Sequence, residues 1–336
     1  MMNQTVRLTL SIGIVALIAG VAGIACAPRA TQDPTRPAAV DLYVRAMEAY
    51  NQGDRAAAIA GLIDATQANP ELRMAHSMLG DLYREQGAYA RAAPHYEAMT
   101  QLDPYHLDNH YRLGVTYHLL ARLQDAAAAY LRALQLNPQD MRSNMNLGLV
   151  YLSLGQLDDA VTHLERATRL DPNSSVAWSN LGVALDARDS AALAEAAYRR
   201  SLELSPLQDS ILVNLANNLS RQRKSSEAIS LMQQVLQRND TAANRKYYGD
   251  ALASAGRYED AIQQYDRALE LDPRYTAALN EKGAAVIQQY RAGMELDPQK
   301  RQQAIALWEQ SLRINPNQPQ VQAMLRRWRS PKLFSE

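Results

Sequence analysis

The sequence predicts an all-α fold, a solenoid of about eight helix-turn-helix units finished by a C-terminal capping helix. Three observations predict it. The composition is rich in Ala, Leu, Gln and Arg, all good helix formers, while Phe occurs once in 336 residues and β-branched residues are sparse. Pro70, Pro104, Pro138, Pro172 and Pro206 follow one another at 34-residue intervals, and Pro273 and Pro316 extend the series. Between the prolines the same small and large residues return at the same places. A period of this length marks stacked two-helix units, each too small to bury its own apolar face alone.

The first segment stands apart. Leu8 to Ala25 is an uncharged apolar run, preceded by Arg7 and ended by Cys26, Ala27 and Pro28. As a helix it spans roughly 27 Å at about 1.5 Å per residue, just short of the ~30 Å hydrocarbon core. Two readings follow for residues 1–25, an export signal or a membrane anchor. Gly23-Ile24-Ala25-Cys26 resembles the lipobox of bacterial lipoproteins, with Gly23 where that family favours Leu. The resemblance implies acylation of Cys26, the only cysteine of the chain. The alternative is a single-pass spanning helix in which Cys26 is incidental. Both place the remainder outside the cytoplasm at a membrane, because Arg7 is the charge kept on the inner side. Residues 26–38, with three prolines, are expected to be an extended linker.

The repeated units occupy 39–317. In the unit from Arg73 to His106 the recurring residues are Leu79-Gly80, Tyr83, Gly87, Ala92, Tyr96 and Pro104. The next has Leu113-Gly114, Tyr117, Ala126, Tyr130, Ala133 and Pro138; the third has Leu147-Gly148, Tyr151, Gly155, Ala160, Leu164, Ala167 and Pro172. The fourth opens with Trp178 and continues through Leu181-Gly182, Ala194, Tyr198 and Pro206. Gly80, Gly114, Gly148 and Gly182 allow a facing helix to approach, and large tyrosines fill the intervening gaps, since close packing sets small against large. Each proline ends the second helix of its unit.

The unit from Asp209 has Ala216 for the glycine and Asp240 for the proline, and is one residue short, which predicts a local change of twist. In the last unit Gly283 fits, but Ala304, Trp308 and Pro316 arrive nine residues late, so its first helix is expected to run on to about Glu295. Residues 318–336 form the cap and tail, with Val321, Leu325 and Trp328 on one helical side and Arg326, Arg327, Arg329 and Lys332 as solvated charge.

This pattern resembles the tetratricopeptide repeat, W-x2-L-G-x2-Y, then A-x3-F, then P, over about residues 39 to 317. The resemblance implies a right-handed superhelix whose concave wall is lined by the first helix of each unit. Carried onto this sequence, the lining positions are Tyr43, Met47 and Tyr50, then Asp81 and Arg84. They continue as Tyr111, Val115, His118 and Leu119, then Met145, Leu149 and Leu152, then Val176 and Val183. An apolar strip of this extent is expected to receive a peptide or helix of another protein, or else to be covered by the chain's own tether or by tighter coiling. Asn146, Asn180 and Asn214 match the asparagine of the set by which some members grip a terminal carboxylate. Its flanking lysines are missing.

Little in the sequence points to catalysis. Ten of the 15 glycines occupy repeat positions and three lie in the apolar run, leaving Gly61 and Gly293, from which no phosphate-binding loop can be written. No zincin, kinase or nucleophile-elbow motif is present. No cofactor is implied. Lys+Arg and Asp+Glu are both 35, so the general attraction to phosphate backbones is missing and nucleic acid is not an expected partner. His106 and His110, four apart, with His76 one repeat earlier, offer the one alternative, a metal site or an enzyme centre. Against it, His76 and His110 stand where the repeat prefers Trp, as aromatics at the core rim. The leading expectation is a non-enzymatic adaptor of the cell envelope, in pilus, secretion or cell-wall assembly, able to self-associate.

Overall fold

The computed structural model describes residues 35–294 and 296–329. The apolar run, Cys26, Glu295 and Lys332 lie outside the described residues. Seventeen helices and no strand occur among those described. No described helix is long and apolar enough to cross a membrane.

Contacts divide the chain into two compact units, Met1–Leu72 and Arg73–Glu336, a boundary inside the span read from sequence as one solenoid. The first holds α1 (Thr35–Asn51) and α2 (Arg55–Ala68). α1 begins within the stretch expected to be an extended linker, because Pro37 falls in its first turn, where a missing amide donor leaves no bond unmade. A Cβ on Gly61 would lie 3.0 Å from that of Ala46, so the pair packs backbone to backbone.

The second unit is a solenoid of stacked helix pairs. It comprises α3 (Arg73–Glu85), α4 (Tyr89–Leu102), α5 (Leu107–Leu119), α6 (Leu123–Leu136), α7 (Met141–Ser153) and α8 (Leu157–Leu170). It continues with α9 (Ser175–Ala187), α10 (Ala191–Leu204), α11 (Asp209–Arg221), α12 (Ser225–Arg238), α13 (Ala242–Ser254) and α14 (Tyr258–Leu271). It closes with α15 (Thr276–Ala292), α16 (Pro298–Ile314) and α17 (Pro319–Arg329). Each second helix packs on the first helix of the next pair, and α5, α7, α9, α11, α13 and α15 also touch in series. α11 meets α13 over a broader contact than the other first helices make with each other, at the unit that is one residue short.

Close approach has an identifiable cause. A Cβ built on Gly80, Gly114, Gly182 or Gly249 would fall 2.8, 2.7, 2.5 or 2.5 Å from the ring of Tyr96, Tyr130, Tyr198 or Tyr265. Gly148 meets Leu164 and Gly283 meets Trp308 in the same way, each at 2.6 Å. Gly114→Leu is therefore expected to cost roughly 1–3 kcal/mol by overpacking, read by urea denaturation. An unchanged midpoint would refute the contact.

The prolines work through the residue before them. Asn137, Asp171, Asp272 and Asn315 end second helices, and their side-chain oxygens accept the amide two residues on at 3.0–3.1 Å. Each closes an Asx turn that Pro138, Pro172, Pro273 or Pro316 pre-sets.

Turns inside the pairs reveal something the glycine pattern leaves out. Gly87, Gly155 and Gly256 have left-handed backbone, and the equivalent places in three other pairs are held by Ala121 (φ 56°), Asp189 (φ 62°) and Arg223 (φ 62°). The turn geometry is dictated by the helix pair and overrides residue preference. Ala121→Gly should raise stability by about 1 kcal/mol, because glycine escapes the left-handed penalty. A lower melting temperature would contradict this.

The long last pair differs from expectation. α15 stops at Ala292, three residues before Glu295, with Gly293 as its cap. α15 and α16 are each 17 residues long, against 13 and 14 in the preceding pair. The inserted residues are thus shared between both helices and the turn, since Asp297 caps α16 and Pro298 suits its first position.

Candidate ligand groove

The residues assigned to the wall differ in burial. Tyr43, Met47 and Tyr50 lie half-buried on α1, in the first unit. In the second unit Leu119 and Val176 are about half exposed, at 51% and 53%. Tyr111, Val115, His118 and Leu149 are half-buried. Met145, Leu152 and Val183 pack partly buried on the central core of α8–α13, so stacking has drawn part of the strip inward. That follows from their places on first helices that touch in series.

Tyr111, Val115, His118 and Leu119 share one side of α5 by helical spacing. This side is tied to α7, where Asn146 Nδ2 donates to the Tyr111 hydroxyl at 3.2 Å and the Arg142 guanidinium lies 4.4 Å from the Tyr111 ring centre. Arg142 also reaches Asp108 at 3.4 Å and Asp140 at 3.5 Å.

Asp81 and Arg84 belong to a bonded cluster of side chains. Asp81 accepts the Tyr96 hydroxyl and Arg112 Nη1, both at 2.8 Å, with Arg84 3.7 Å away. Burial and the bond to Asp81 push the Tyr96 phenol up. Asp250 receives Tyr265 at 2.9 Å in the equivalent manner. Asp186 gathers Tyr198, Asn218 and Arg221. Sequence reasoning left these carboxylate hubs out. The signal available was an acid directly after the repeat glycine, at Asp81 and Asp250, facing a tyrosine fifteen residues on.

The histidines are not gathered as a metal site would require. His110 Nε2 is bonded to the Pro104 carbonyl at 2.9 Å, as Trp178 Nε1 is to that of Pro172 at 2.9 Å and Asn144 Nδ2 to that of Pro138 at 3.2 Å. His110 therefore fills the tryptophan slot in bonding as well as position. His106 is the N-cap of α5. His76 faces His95 instead, Nδ1 to Nδ1 at 3.1 Å, and His95 stacks on Tyr83. Among the described residues no group of three His, Cys, Asp or Glu is placed to hold a metal ion.

Burial, then the neighbouring His76 and Arg91, pushes His95 down to about 4. An unfolded histidine titrates near 6.5, so between the two values the unfolded chain binds a proton that the folded chain does not. Stability should fall as pH falls through that window. His95→Gln should remove part of that loss, measured as melting temperature against pH; identical profiles would count against it.

A stack of helix pairs with rings laid over glycines defines the class, a helical-repeat binding protein. Within it the chain belongs to the tetratricopeptide-repeat family. Family profiles described as "Tetratricopeptide repeat" match residues 43–106, 145–209 and 108–140, and one described as "TPR repeat" matches 249–289, together more than half of the chain. Members are in general non-enzymatic scaffolds for protein–protein contact.

Among solved structures, a chain of the APC/C hetero-tetramer Cut9–Hcn1 is similar at 16% identity with a TM-score of 0.57. The match covers 81% of this chain and 52% of that one, so this protein spans about half the length of that relative. A tetratricopeptide repeat protein from Parabacteroides merdae matches at 17% identity and a TM-score of 0.56, over 74% of this chain and 99% of that one. PilF from Pseudomonas aeruginosa matches at 21% identity and 0.53, over 66% and 97%. At these identities the likeness is one of fold. No curated protein matches the sequence.

Proposed function

We propose that the protein is a non-enzymatic adaptor of the cell envelope that holds a peptide or helix of another protein along the first-helix side of α5, α7 and α9. The observation that carries this reading is the accessible apolar series Tyr111, Val115, Leu119, Leu149 and Val176 on helices that touch in order. A contiguous apolar surface on first helices is the form in which a groove receives an amphipathic segment. Envelope placement rests on the sequence alone: the apolar run followed by Gly23-Ile24-Ala25-Cys26 supports membrane attachment through lipid on Cys26. A role in pilus, secretion or cell-wall assembly is the process class that this placement suggests.

The test is affinity capture by the full-length protein from envelope extract, set against the double variant Tyr111→Ala, Leu149→Glu. Loss of the same captured protein from the variant supports the reading. Capture that survives the double change refutes it. Cys26→Ser, followed by incorporation of a labelled fatty acid, tests the anchor separately.

A further inference from the structure

The tryptophan slot of the repeat is filled differently in two pairs. In α9 it holds Trp178, partly buried against the core, whose Nε1 bonds the Pro172 carbonyl. In α5 it holds His110, whose Nε2 makes the same 2.9 Å bond to the Pro104 carbonyl. An imidazole anchored in this way lacks the six-membered ring of an indole. The space beside it is open, a cavity of about 430 Å³ lined by Pro104, Tyr105, His110, Arg132, Gln135 and Leu136. None of these residues belongs to the wall of the ligand groove.

The charge at its edge is unmatched. Two residues after their buried tyrosines, α10 and α14 carry Arg200 and Arg267, and three residues further on Glu203 and Glu270 pair with them at 2.9 and 2.6 Å. α6 repeats the arginine as Arg132 but has Gln135 in place of the acid, and the guanidinium donates to the amide oxygen at 2.8 Å. Arg132 is exposed and forms no ion pair among the described residues, and none of the cavity's lining residues is an acid. The rim is apolar as well. Tyr105 is 84% exposed, where most other proline turns carry a polar residue such as Gln139, Asn173 or Arg274, and Leu136 is exposed beside it. A large ring left in water at the mouth of an apolar cavity marks a place where another apolar group is buried.

We infer that this cavity takes an aromatic side chain of a partner protein, presented with a carboxylate on the same face of the partner segment. The ring enters beside His110 against Pro104, Tyr105 and Leu136, and the carboxylate meets Arg132. In the pair of α9 and α10 the chain supplies both halves of this ligand itself, the indole of Trp178 and the acid Glu203. In the pair of α5 and α6 it supplies neither. A carboxylate is favoured over a carboxamide because a guanidinium can take both of its oxygens, with charge on each side of the bond. A protein segment is favoured over a free small acid because a rim as exposed as Tyr105 does not enclose a small molecule, whereas a segment adds contacts along the turn. This surface is independent of the groove on α5, α7 and α9.

The test is fluorescence anisotropy of labelled extended peptides on the full-length protein. Each carries Trp and Glu two residues apart, in either order, so that both side chains share one face; in the twins Gln replaces Glu or Ala replaces Trp. The Trp and Glu peptide should bind roughly fivefold tighter than its Gln twin, and the Ala twin should lose at least about tenfold. His110→Trp fills the cavity from within and should abolish binding without lowering the melting temperature. Gln135→Glu gives Arg132 its acid and should bring the Glu and Gln peptides level. No binding, binding that survives His110→Trp, or equal affinity of the Glu and Gln peptides for the unaltered protein overturns the inference, and a lowered melting temperature in His110→Trp overturns the fit of an aromatic ring at this slot. Loss of binding on Leu149→Glu would place the peptides on the groove instead, which also overturns it. Indole-3-propionate bound as tightly as the peptide would overturn the choice of a protein segment. The groove reading stands or falls separately, by the capture experiment above.

Discussion

Replacing Trp308 by alanine is expected to cost about 3–5 kcal/mol, the largest loss at any single site of the solenoid. Trp308 is 1% exposed and is packed with Val286, Ile287, Ala304, Ile305, Val321 and Leu325, so it joins α15, α16 and α17. Its ring fills the space left by Gly283, and its Nε1 donates to the Asn280 carbonyl at 3.1 Å. Alanine removes the ring and its indole donor and leaves a cavity between three helices that cannot readily close. Because repeat pairs contact only their neighbours, the damage should be local. Hydrogen exchange should accelerate across α15–α17 while α5–α8 keep their protection, and urea denaturation should show the lost stability. A cost under about 1 kcal/mol would mean that the cap is held by other contacts.

The second large effect is expected at Asp186. Its carboxylate accepts the Tyr198 hydroxyl at 3.1 Å through one oxygen and Asn218 Nδ2 at 2.5 Å through the other, which also takes Arg221. Three helices, α9, α10 and α11, thus share one acceptor, at the place where the repeat loses its glycine to Ala216. Asp186→Ala leaves the Tyr198 hydroxyl and one Asn218 donor unpaired in the interior, at roughly 1–3 kcal/mol for each. Asn218 retains its bond to the Ala191 carbonyl at 3.0 Å, so the loss should fall short of the full sum. Asp158 serves as the control. Its side chain is 92% exposed and sits 3.5 Å from Arg188, and Asp158→Ala should change stability by no more than about 0.5 kcal/mol. Chemical denaturation of the two variants side by side decides the matter; equal midpoints would show that the hub contributes nothing.

These two sites differ in how far the sequence announces them. Trp308 can be read directly, since it falls where the repeat places its large aromatic, opposite Gly283. Asp186 cannot. The acid that serves Tyr198 is not next to Gly182, where the hubs at Asp81 and Asp250 would direct attention, but a helical turn further on. The same limit applies to the groove. Position along α7 and α9 assigned Met145, Leu152 and Val183 to the wall, and that each also packs partly buried on the core depends on how successive first helices touch. The histidines show the complementary case, because their spacing suggested a ligand set while the slot they occupy sends His110 to a backbone carbonyl.

By itself the sequence determined the number of helix pairs, the places where most of the second helices end and the glycine on which each ring rests. Those features arise within one 34-residue period and depend on helix geometry and on prolines, which act locally. Only the tertiary structure decided which polar groups find partners and which apolar ones stay open. Such pairings join residues 31 to 35 positions apart, as Asp81 joins Arg112 and Asp186 joins Arg221, and they are set by how far one helix pair rotates as it nests on the next. The unpaired hydroxyl of Tyr130 belongs to this second kind: the valine after Gly114, where two sibling pairs have an acid, is visible in the sequence, but that the phenol over Gly114 is buried without a partner follows only from the stacked helices.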